Sequence, residues 1–195
     1  MQHATALVET NDIGTDTNVW AYAHVMRGAS VGNRCNIGDH AFVESGAIVG
    51  NNVTLKNNVC VWHGVTIEDD VFVGPSVTFT NDRNPRSPRM DAAAERYESQ
   101  DKWLEKTLVG RGCSIGAAAT ICPGIKLGEY SMIAAGSVVT RDVPAYALVM
   151  GNPARIAAHV CTCGQKLSGP FDTTDCEHCG EKAIHRLQAT SIKIS

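Results

Sequence analysis

Four cysteines near the C-terminal end of the chain have the spacing of a metal site. Cys161 and Cys163 stand in the run C-T-C-G, and Cys176 and Cys179 follow later in the run C-E-H-C-G. Two thiol pairs, each followed by glycine, are typical of a zinc ribbon, in which two tight turns aim both pairs at one tetrahedral ion. Four thiolates leave no open coordination position, so the sequence predicts a structural zinc. A disulfide framework is the alternative, which the lack of a secretion signal disfavours.

His63 and Asn81 form a second candidate site, suited to acid–base chemistry. They are 18 residues apart, and each stands at the third position of a six-residue repeat. If three repeats close one turn of a regular coil, Asn81 lies directly above His63 at the spacing of neighbouring strands, about 4.8 Å. A neutral imidazole with a polar neighbour at a solvent edge can serve as a general base. The alternative is a surface histidine beside a surface asparagine.

The six-residue repeat runs through most of the chain. Every sixth residue is Val, Ile or Leu in seventeen consecutive slots, interrupted once: Ile13, Val19, Val25, Val31, Ile37, Val43, Val49, Leu55, Val61, Ile67, Val73, and then Val109, Ile115, Ile121, Leu127, Ile133, Val139. A period of six is neither the helical 3.6 nor the strand alternation of two. It is typical of a solenoid in which each hexapeptide contributes one short strand and one turn.

The other positions of the hexad indicate how the chain coils. The residue four places after each aliphatic is small or β-branched and shares its inward face, as Ala41 and Val59 do. The residue directly after the aliphatic is often Gly, which suits unusual dihedral angles or close backbone approach. We therefore predict an all-β fold, a left-handed parallel β-helix with three hexads per coil. A β-sandwich is the alternative, but it would need irregular turn spacing.

Residues 80–108 interrupt the repeat, and a long excursion from a regular solenoid is usually functional. Arg83, Arg86 and Arg89 lie near its start, and arginine suits a phosphate or carboxylate group of a substrate. The alternative is a solvated loop whose charges bind nothing. The second half of the loop is more polar and has the composition of a helix.

Composition limits the remaining possibilities. The net charge of −3 and the pI near 6.1 argue against a nucleic-acid or membrane-surface binder. The sequence shows no signal segment and no apolar run of membrane-spanning length, so we expect a cytoplasmic protein. We predict an N-terminal segment (1–12), a β-helix domain (13–155) with its inserted loop, and a zinc-ribbon-like module (156–195). Cys35 and Cys113 occupy inward positions of the β-helix, where we expect them to act as small hydrophobic residues.

Several segments resemble a known family. The run AAGSVVTRDVPAYALVMGNPAR (134–155) resembles the hexapeptide-repeat acyltransferases. The runs HVMRGASVG (24–32), GVTIEDDVFVGPSVTFTNDRNPRS (64–87) and KTLVGRGCSIGAAATICPG (106–124) are similar to N-acetyltransferases of nucleotide-linked 3-amino sugars. One branch acts on UDP-2-acetamido-3-amino-2,3-dideoxyglucuronate, and a neighbouring branch acts on dTDP-3-amino-3,6-dideoxyhexoses. Relatives often carry Tyr-Glu-Gly where this chain has Trp62-His63-Gly64.

The resemblance implies acetyl-CoA as donor, a homotrimer with sites in the clefts between chains, and a role in surface glycan biosynthesis. It also implies that small residues of the later coils let the pantetheine arm approach the backbone. These residues are Ala117, Ala118, Ala134, Ala135 and Gly136. Arg155, with Arg141 or Lys126, would meet the phosphates of coenzyme A.

The implied reaction is direct attack of the sugar amine on the thioester. We expect His63 to act as the base or to orient the substrate, and Asn81 to hold the sugar. His24 is a second candidate for contact with the substrate, and Arg83 and Arg86 are candidates for its anionic groups. In a rival mechanism no protein base exists, and the departing thiolate collects the proton.

Two other functional classes share the predicted fold. Trp62-His63-Gly64 resembles one ligand motif of gamma-type carbonic anhydrases, but Asn58 stands where the second histidine ligand is expected. A non-catalytic trimeric scaffold is the third possibility, and binding of coenzyme A would distinguish it from an enzyme.

Overall fold

The computed structural model describes residues 1–170 and 172–182, so residue 171 and residues 183–195 of the predicted C-terminal module lie outside the described part. The strands are β1 (Leu7–Val8), β2 (Asn18–Val19), β3 (His24–Val25), β4 (Ser30–Val31), β5 (Asn36–Ile37), β6 (Phe42–Val43), β7 (Ile48–Val49), β8 (Thr54–Leu55), β9 (Cys60–Val61), β10 (Val65–Ile67), β11 (Phe72–Val73), β12 (Thr78–Phe79), β13 (Thr107–Val109), β14 (Ser114–Ile115), β15 (Thr120–Ile121), β16 (Lys126–Leu127), β17 (Met132–Ile133), β18 (Val138–Val139), β19 (Ala147–Gly151) and β20 (Ala154–His159). Helix α1 (Asp91–Ala94) and two 3₁₀ helices (Glu95–Glu98 and Gln100–Lys102) lie in the inserted loop. None of the described helices has the length and apolar character needed to cross a membrane.

The strands form three sheets that are the faces of a triangular prism. A seven-stranded sheet has the order β1-β3-β6-β9-β12-β15-β18, a five-stranded sheet the order β16-β13-β10-β7-β4, and an eight-stranded sheet the order β2-β5-β8-β11-β14-β17-β19-β20. Successive strands of the chain visit the sheets in turn, and each pairs in parallel with the strand one coil away, as Val43 does with Val61. The predicted left-handed parallel β-helix of hexapeptide repeats is confirmed.

Aliphatic side chains fill the prism as the repeat predicts. Val43 and Ile67 are completely buried, and Ala41 and Val59 of the smaller inward set are at most 1% exposed. Each buried aliphatic side chain stabilises the fold by about 1.5–3 kcal/mol relative to its exposed state. Strands of two residues make too few hydrogen bonds to persist alone, so this continuous core holds them in register.

The glycines that follow the aliphatic residues are required by close approach of neighbouring coils. A Cβ atom at Gly32 would lie 2.5 Å from the carbonyl oxygen of Gly50, and one at Gly116 would lie 2.4 Å from the amide nitrogen of Ala135. The other reason that the sequence suggested for these glycines, a need for unusual dihedral angles, is wrong, because none of them has a positive φ. The left-handed residues stand two places later in the hexad, at positions such as Asn52 (φ 57°).

The first coil begins earlier than predicted. Gln2 bridges to Val19, and β1 pairs with β3, so residues 1–12 belong to the prism. In this coil Val8 lies opposite Val25. The separation between these two residues is one residue shorter than three hexads, so the inward aliphatic residue stands one position later in the chain than the repeat predicts. The shortened coil moves Leu7 to the outside, where it is 53% exposed.

The inserted loop replaces one turn between the seven- and five-stranded sheets. Ile67 of β10 lies opposite Val49 of β7 on one side, at the regular three-hexad separation, and opposite Val109 of β13 on the other. The chain between Ile67 and Val109 contains the whole of the loop. The insertion therefore lengthens a single coil and leaves the pairing above and below it intact. The predicted helical character of its second half is confirmed by α1 and the two 3₁₀ helices.

The C-terminal segment folds back onto the last coil. Strand β20 pairs antiparallel with β19, so the predicted domain boundary at residue 155 falls inside a hairpin. The amide of Val160 then donates to the carbonyl of Tyr146 (2.8 Å), and Tyr146 stacks on Tyr130 with ring centroids 5.2 Å apart. Leu167 forms a small separate core with Cys161 and Cys176.

Candidate active site

A cavity of about 620 Å³ opens where the inserted loop leaves the prism. We call this edge, between the seven- and five-stranded sheets, the loop corner; it includes Trp62, His63 and Gly64 between β9 and β10. The cavity is lined by Met26, Glu44, Ser45, Trp62, His63, Asn81, Gln100 and Trp103. Three successive coils, Asn81 at the start of the loop and the second half of the loop therefore contribute to one site.

The imidazole of His63 is held in one orientation. Its Nδ1 lies 2.7 Å from the carbonyl oxygen of Ser45. A carbonyl oxygen only accepts hydrogen bonds, so Nδ1 carries the hydrogen and the lone pair of the neutral ring is on Nε2. Within residues 1–170 and 172–182, no side chain or backbone group is hydrogen-bonded to Nε2. The arrangement leaves Nε2 able to accept a proton from a ligand in the cavity.

The coil below supplies two further contacts that position His63. The backbone amide of His63 donates to Oε2 of Glu44 at 2.8 Å. Gly46, one coil below Gly64, has a φ of +79°, and a Cβ atom there would lie 2.2 Å from Nδ1 of His63. Only glycine leaves room for the ring in this position.

Asn81 joins the coil to the loop. Its side-chain Nδ2 donates to the backbone carbonyl of His63 at 3.2 Å, and its backbone carbonyl accepts from the backbone amide of Glu105 at 2.9 Å. The predicted stacking of Asn81 above His63 is confirmed. Asn81 therefore holds together the point where the loop leaves the prism and the point where it returns.

A cluster of three polar side chains joins the start of the loop to its second half by hydrogen bonds. Arg96 donates to both carboxylate oxygens of Asp82, at 2.5 and 2.8 Å, and the Tyr97 hydroxyl donates to Asp82 at 2.6 Å. The Asp82 side chain is only 10% exposed, and the guanidinium of Arg96, followed by the Tyr97 hydroxyl, holds its pKa well below the usual range. This cluster fixes the loop segment that presents Gln100 and Trp103 to the cavity.

Gln100 and Trp103 are lining residues that the sequence analysis missed. They lie outside the periodic part of the chain, where spacing carries no information about position. One signal was available, because Trp103 is one of only three tryptophans in the chain and stands in a polar loop. Trp62 lines the cavity from the prism; its Nε1 donates to the carbonyl of Phe79 at 3.0 Å, and its ring centroid lies 5.5 Å from that of Phe42.

Three other residues predicted to bind the substrate do not line the cavity. His24 contacts the edge of Phe42, and its Nε2 lies 3.0 Å from Glu9, whose pKa it lowers through this hydrogen bond. Arg83 lies 3.5 Å from Glu105 and donates to the carbonyl of Pro123 in the next coil. Arg86 is exposed, and its side chain donates to the carbonyl of Pro85. In a single chain the two arginines thus contact the loop and its neighbouring coil.

The residues predicted to bind coenzyme A lie at a different edge of the prism. Ala117 and Ala118 follow β14, and Ala134, Ala135 and Gly136 follow β17 one coil later, both between the eight- and seven-stranded sheets. We call this edge the alanine corner. Within one chain it is separated from His63 by the width of the seven-stranded sheet.

The predicted phosphate ligands are all exposed. Arg141 and Lys126 stand near the loop corner of the last coil, where the amide of Lys126 donates to Asp142 at 2.8 Å. Arg155 stands on β20 and donates to the carbonyl of Ala154. The exposed side chains of these residues are available to a ligand or to another chain.

The four C-terminal cysteines converge as predicted. Their sulfur atoms all lie within 4.8 Å of one another, with Cys161 and Cys179 at 3.5 Å and Cys163 and Cys176 at 3.8 Å. Tetrahedral zinc with bonds of about 2.3 Å places its sulfur ligands about 3.8 Å apart, so the donor set fits this ion. Burial raises the pKa of Cys161 to about 11, and the backbone amide of Cys179 is the main cause of a Cys176 pKa lowered to about 7.

Comparison with known proteins connects the sequence and the fold to enzymes. The sequence profile described as bacterial transferase hexapeptide (six repeats) matches residues 46–81 and 106–141, and that of the hexapeptide repeat of succinyl-transferase matches residues 28–62. The dTDP-3-amino-3,6-dideoxy-alpha-D-galactopyranose 3-N-acetyltransferase of Aneurinibacillus thermoaerophilus is 47% identical over 180 residues, 92% of this chain and 88% of the relative. The chain belongs to the hexapeptide-repeat acetyltransferases.

Other members of the hexapeptide-repeat acetyltransferases match a smaller part of the chain. The galactoside O-acetyltransferase of Escherichia coli is 31% identical over 96 residues, 49% of this chain and 44% of the relative. The solved acetyltransferase domain of PglB from Neisseria gonorrhoeae, in complex with acetyl coenzyme A, has a TM-score of 0.50 at 19% identity, covering 80% of this chain and 56% of that one. This structural likeness shows the common fold.

Proposed function

We propose that the protein transfers an acetyl group from acetyl-CoA to the 3-amino group of a nucleotide-linked sugar. The observation that carries the proposal is His63, whose Nδ1–H donates to Ser45 and whose Nε2 is left to accept a proton in the cavity. The relative with 47% identity over 92% of the chain is named for this type of reaction. The product is an activated N-acetylated sugar, which suits the assembly of surface glycans.

The reaction needs a neutral amine, since an ammonium group has no lone pair. Nε2 of His63 accepts one proton from the sugar ammonium, and the amine then attacks the carbonyl carbon of the thioester. The tetrahedral intermediate collapses as the carbon–sulfur bond breaks, and the departing thiolate takes the second proton from nitrogen. Asn81 and Gln100 offer amide groups that orient the sugar hydroxyls.

Acetyl-CoA would reach His63 from a neighbouring chain. Ala117, Ala135 and Gly136 leave room for the pantetheine arm, but they belong to the alanine corner and His63 belongs to the loop corner. A homotrimer that places the alanine corner of one chain beside the loop corner of the next completes three equivalent sites. Arg141, Arg155 and Lys126 are exposed and suited to the phosphates of coenzyme A.

The four-cysteine cluster would hold a structural zinc ion. Cys161, Cys163, Cys176 and Cys179 supply the four thiolates, and their sulfur separations match a tetrahedral site. The ion would hold the segment after β20 together, because the described residues of this segment form only a small core around Leu167.

Release of free thiol from acetyl-CoA tests the proposed reaction. Purified protein is supplied with a UDP-3-amino sugar, a dTDP-3-amino sugar or no acceptor. We expect release with a 3-amino sugar and a product whose mass has increased by one acetyl group. Absence of release with both sugars, in protein shown to be folded, would contradict the proposal and would favour the scaffold function.

A further inference from the structure

Glu44 gives the cavity a negative charge. Among the described residues that line it, Glu44 is the only one with a carboxylate, and none is an arginine or lysine. On this charge, and resting on the proposed function, we infer that Glu44 is a specificity-determining residue. Its carboxylate receives the ammonium form of the acceptor and excludes sugars whose ring carries a carboxylate near the amine.

The contact between Glu44 and the backbone does not require a charge. Oε2 of Glu44 accepts from the amide of His63 at 2.8 Å, and Oε2 of Glu68 accepts in the same way from the amide of Arg111 at 2.8 Å. Both glutamates directly follow an inward aliphatic residue and contact the next coil at the same hexad position. A neutral glutamine oxygen can accept the same hydrogen bond, so the charge of Glu44 is free to act on a ligand.

The position of Glu44 beside His63 determines what the charge does. The sugar amine reaches Nε2 of His63 as an ammonium ion, and a carboxylate in the same cavity attracts this ion by a charge-assisted hydrogen bond. A uronate at C6 brings a second negative charge into the cavity, where none of the described lining residues is a cation to compensate it. The site should therefore prefer a 3-amino sugar with a neutral C6 group.

The Arg83 and Arg86 side chains do not alter this charge balance. Arg83 is paired with Glu105 and the carbonyl of Pro123, outside the cavity. Arg86 is exposed on the loop and donates to Pro85. Within one chain, a uronate in the cavity is thus left facing Glu44.

The substitution Glu44→Gln tests the inference, because it removes the charge and keeps an acceptor for the His63 amide. Glu68→Gln is the matched control, with the same backbone contact and the same loss of one carboxylate outside the cavity. The substrates are two 3-amino sugars that differ only in carrying a hydroxymethyl or a carboxylate group at C6, each prepared in a UDP-linked and a dTDP-linked form. The wild-type protein and Glu68→Gln should both favour the neutral sugar.

For Glu44→Gln we expect KM for the neutral amino sugar to rise roughly 10- to 100-fold, the range of a lost hydrogen bond to a charged group. KM for acetyl-CoA should stay unchanged, and the ratio of kcat/KM between the two sugars should approach one. Equal use of both sugars by the wild-type protein, or an unchanged ratio in Glu44→Gln, would overturn the inference while leaving the acetyl transfer itself established. If Glu44→Gln fails to fold, the wild-type ratio alone decides, and no acetylation of either sugar would count against the proposed function instead.

Discussion

Gly46 lies directly against the imidazole of His63, one coil away along the loop corner. A Cβ atom at Gly46 would be 2.2 Å from Nδ1 and 2.3 Å from Cε1 of that ring. The same ring nitrogen donates to the carbonyl of Ser45 at 2.7 Å, the residue before Gly46. The Ser45 carbonyl thus sets the tautomer of the candidate base, and the absence of a side chain at Gly46 leaves room for its ring.

The substitution Gly46→Ala should therefore lower kcat, although the new methyl group does not contact the substrate. The new methyl group pushes the ring away from Ser45, and a misplacement of about 1 Å at a reacting group can cost about 100-fold in kcat. Steady-state kinetics with acetyl-CoA and the amino sugar checks this.

Gly112→Ala is the matched control for Gly46→Ala. Gly112 also has a positive φ, +66°, and a Cβ atom there would lie 2.4 Å from the ring of Tyr130, outside the cavity. Both variants should lose stability to a similar degree, because each strains a left-handed turn and displaces a ring. Equal losses of kcat in the two variants would show that the effect of Gly46→Ala is only one of stability.

Replacement of His63 by Ala distinguishes the two mechanisms of proton transfer. If Nε2 is the base, kcat should fall by about 10²- to 10⁴-fold, with little change in the thermal unfolding temperature. Turnover close to that of the wild-type protein would show that the acceptor amine enters neutral and that the thiolate collects the proton.

The periodic part of the structure could be predicted from the sequence because its rule is local. Every hexad carries its own inward aliphatic residue, so Val43 and Ile67 are placed by their neighbours alone. The stacking of Asn81 on His63 follows from the same rule. The rule fails where a coil changes length, as at Val8, because a deleted residue shifts the register without changing the local pattern.

The loop could not be predicted in the same way. Its conformation depends on contacts between Asp82 and the pair Arg96 and Tyr97, which have no fixed spacing in sequence. The arginines suggested a substrate role by their chemistry, yet Arg83 is bound to Glu105 and Pro123. The positions of Gln100 and Trp103 in the cavity follow from three-dimensional contacts, and only the rarity of tryptophan in the chain pointed to Trp103.

Mixing two inactive variants should restore activity if each site is shared by two chains. His63→Ala removes the base from the loop corner, and Ala135→Trp fills the alanine corner at an exposed position. In randomly mixed trimers about one site in four combines an intact His63 with an intact Ala135, so about a quarter of wild-type activity should return. The measurement is thiol release after the variants are unfolded and refolded together. Activity that stays at the level of the separate variants would place the complete site within one chain.

Removal of the Asp82 charge should loosen the loop. Asp82→Asn keeps the shape of the side chain but loses the ion pair with Arg96, so amide hydrogen exchange in residues 80–108 should accelerate and KM for the sugar should rise. The folded-state pKa of Asp82 is lowered, so the stabilisation is present above the usual aspartate pKa and is lost only as pH falls through the lowered value. The amide exchange rates of residues 80–108 are corrected for their intrinsic rates in both proteins. The difference between the corrected rates of the wild-type protein and Asp82→Asn should stay constant from pH 8 to about pH 5. A difference that shrinks within this range would contradict the assignment.

The four-cysteine cluster gives the last prediction, one zinc ion per chain. Protein purified with added zinc should contain one equivalent by elemental analysis, and Cys176→Ser should lose it because a thiolate ligand is replaced by a weak one. Cys60→Ser removes a thiol of β9 outside the cluster and should keep the metal. Chelation should unfold the segment after β20 while the prism, whose core lies around Val43 and Ile67, keeps its strand signal in circular dichroism. Equal zinc content in Cys176→Ser and Cys60→Ser would show that the metal, if any, is bound elsewhere.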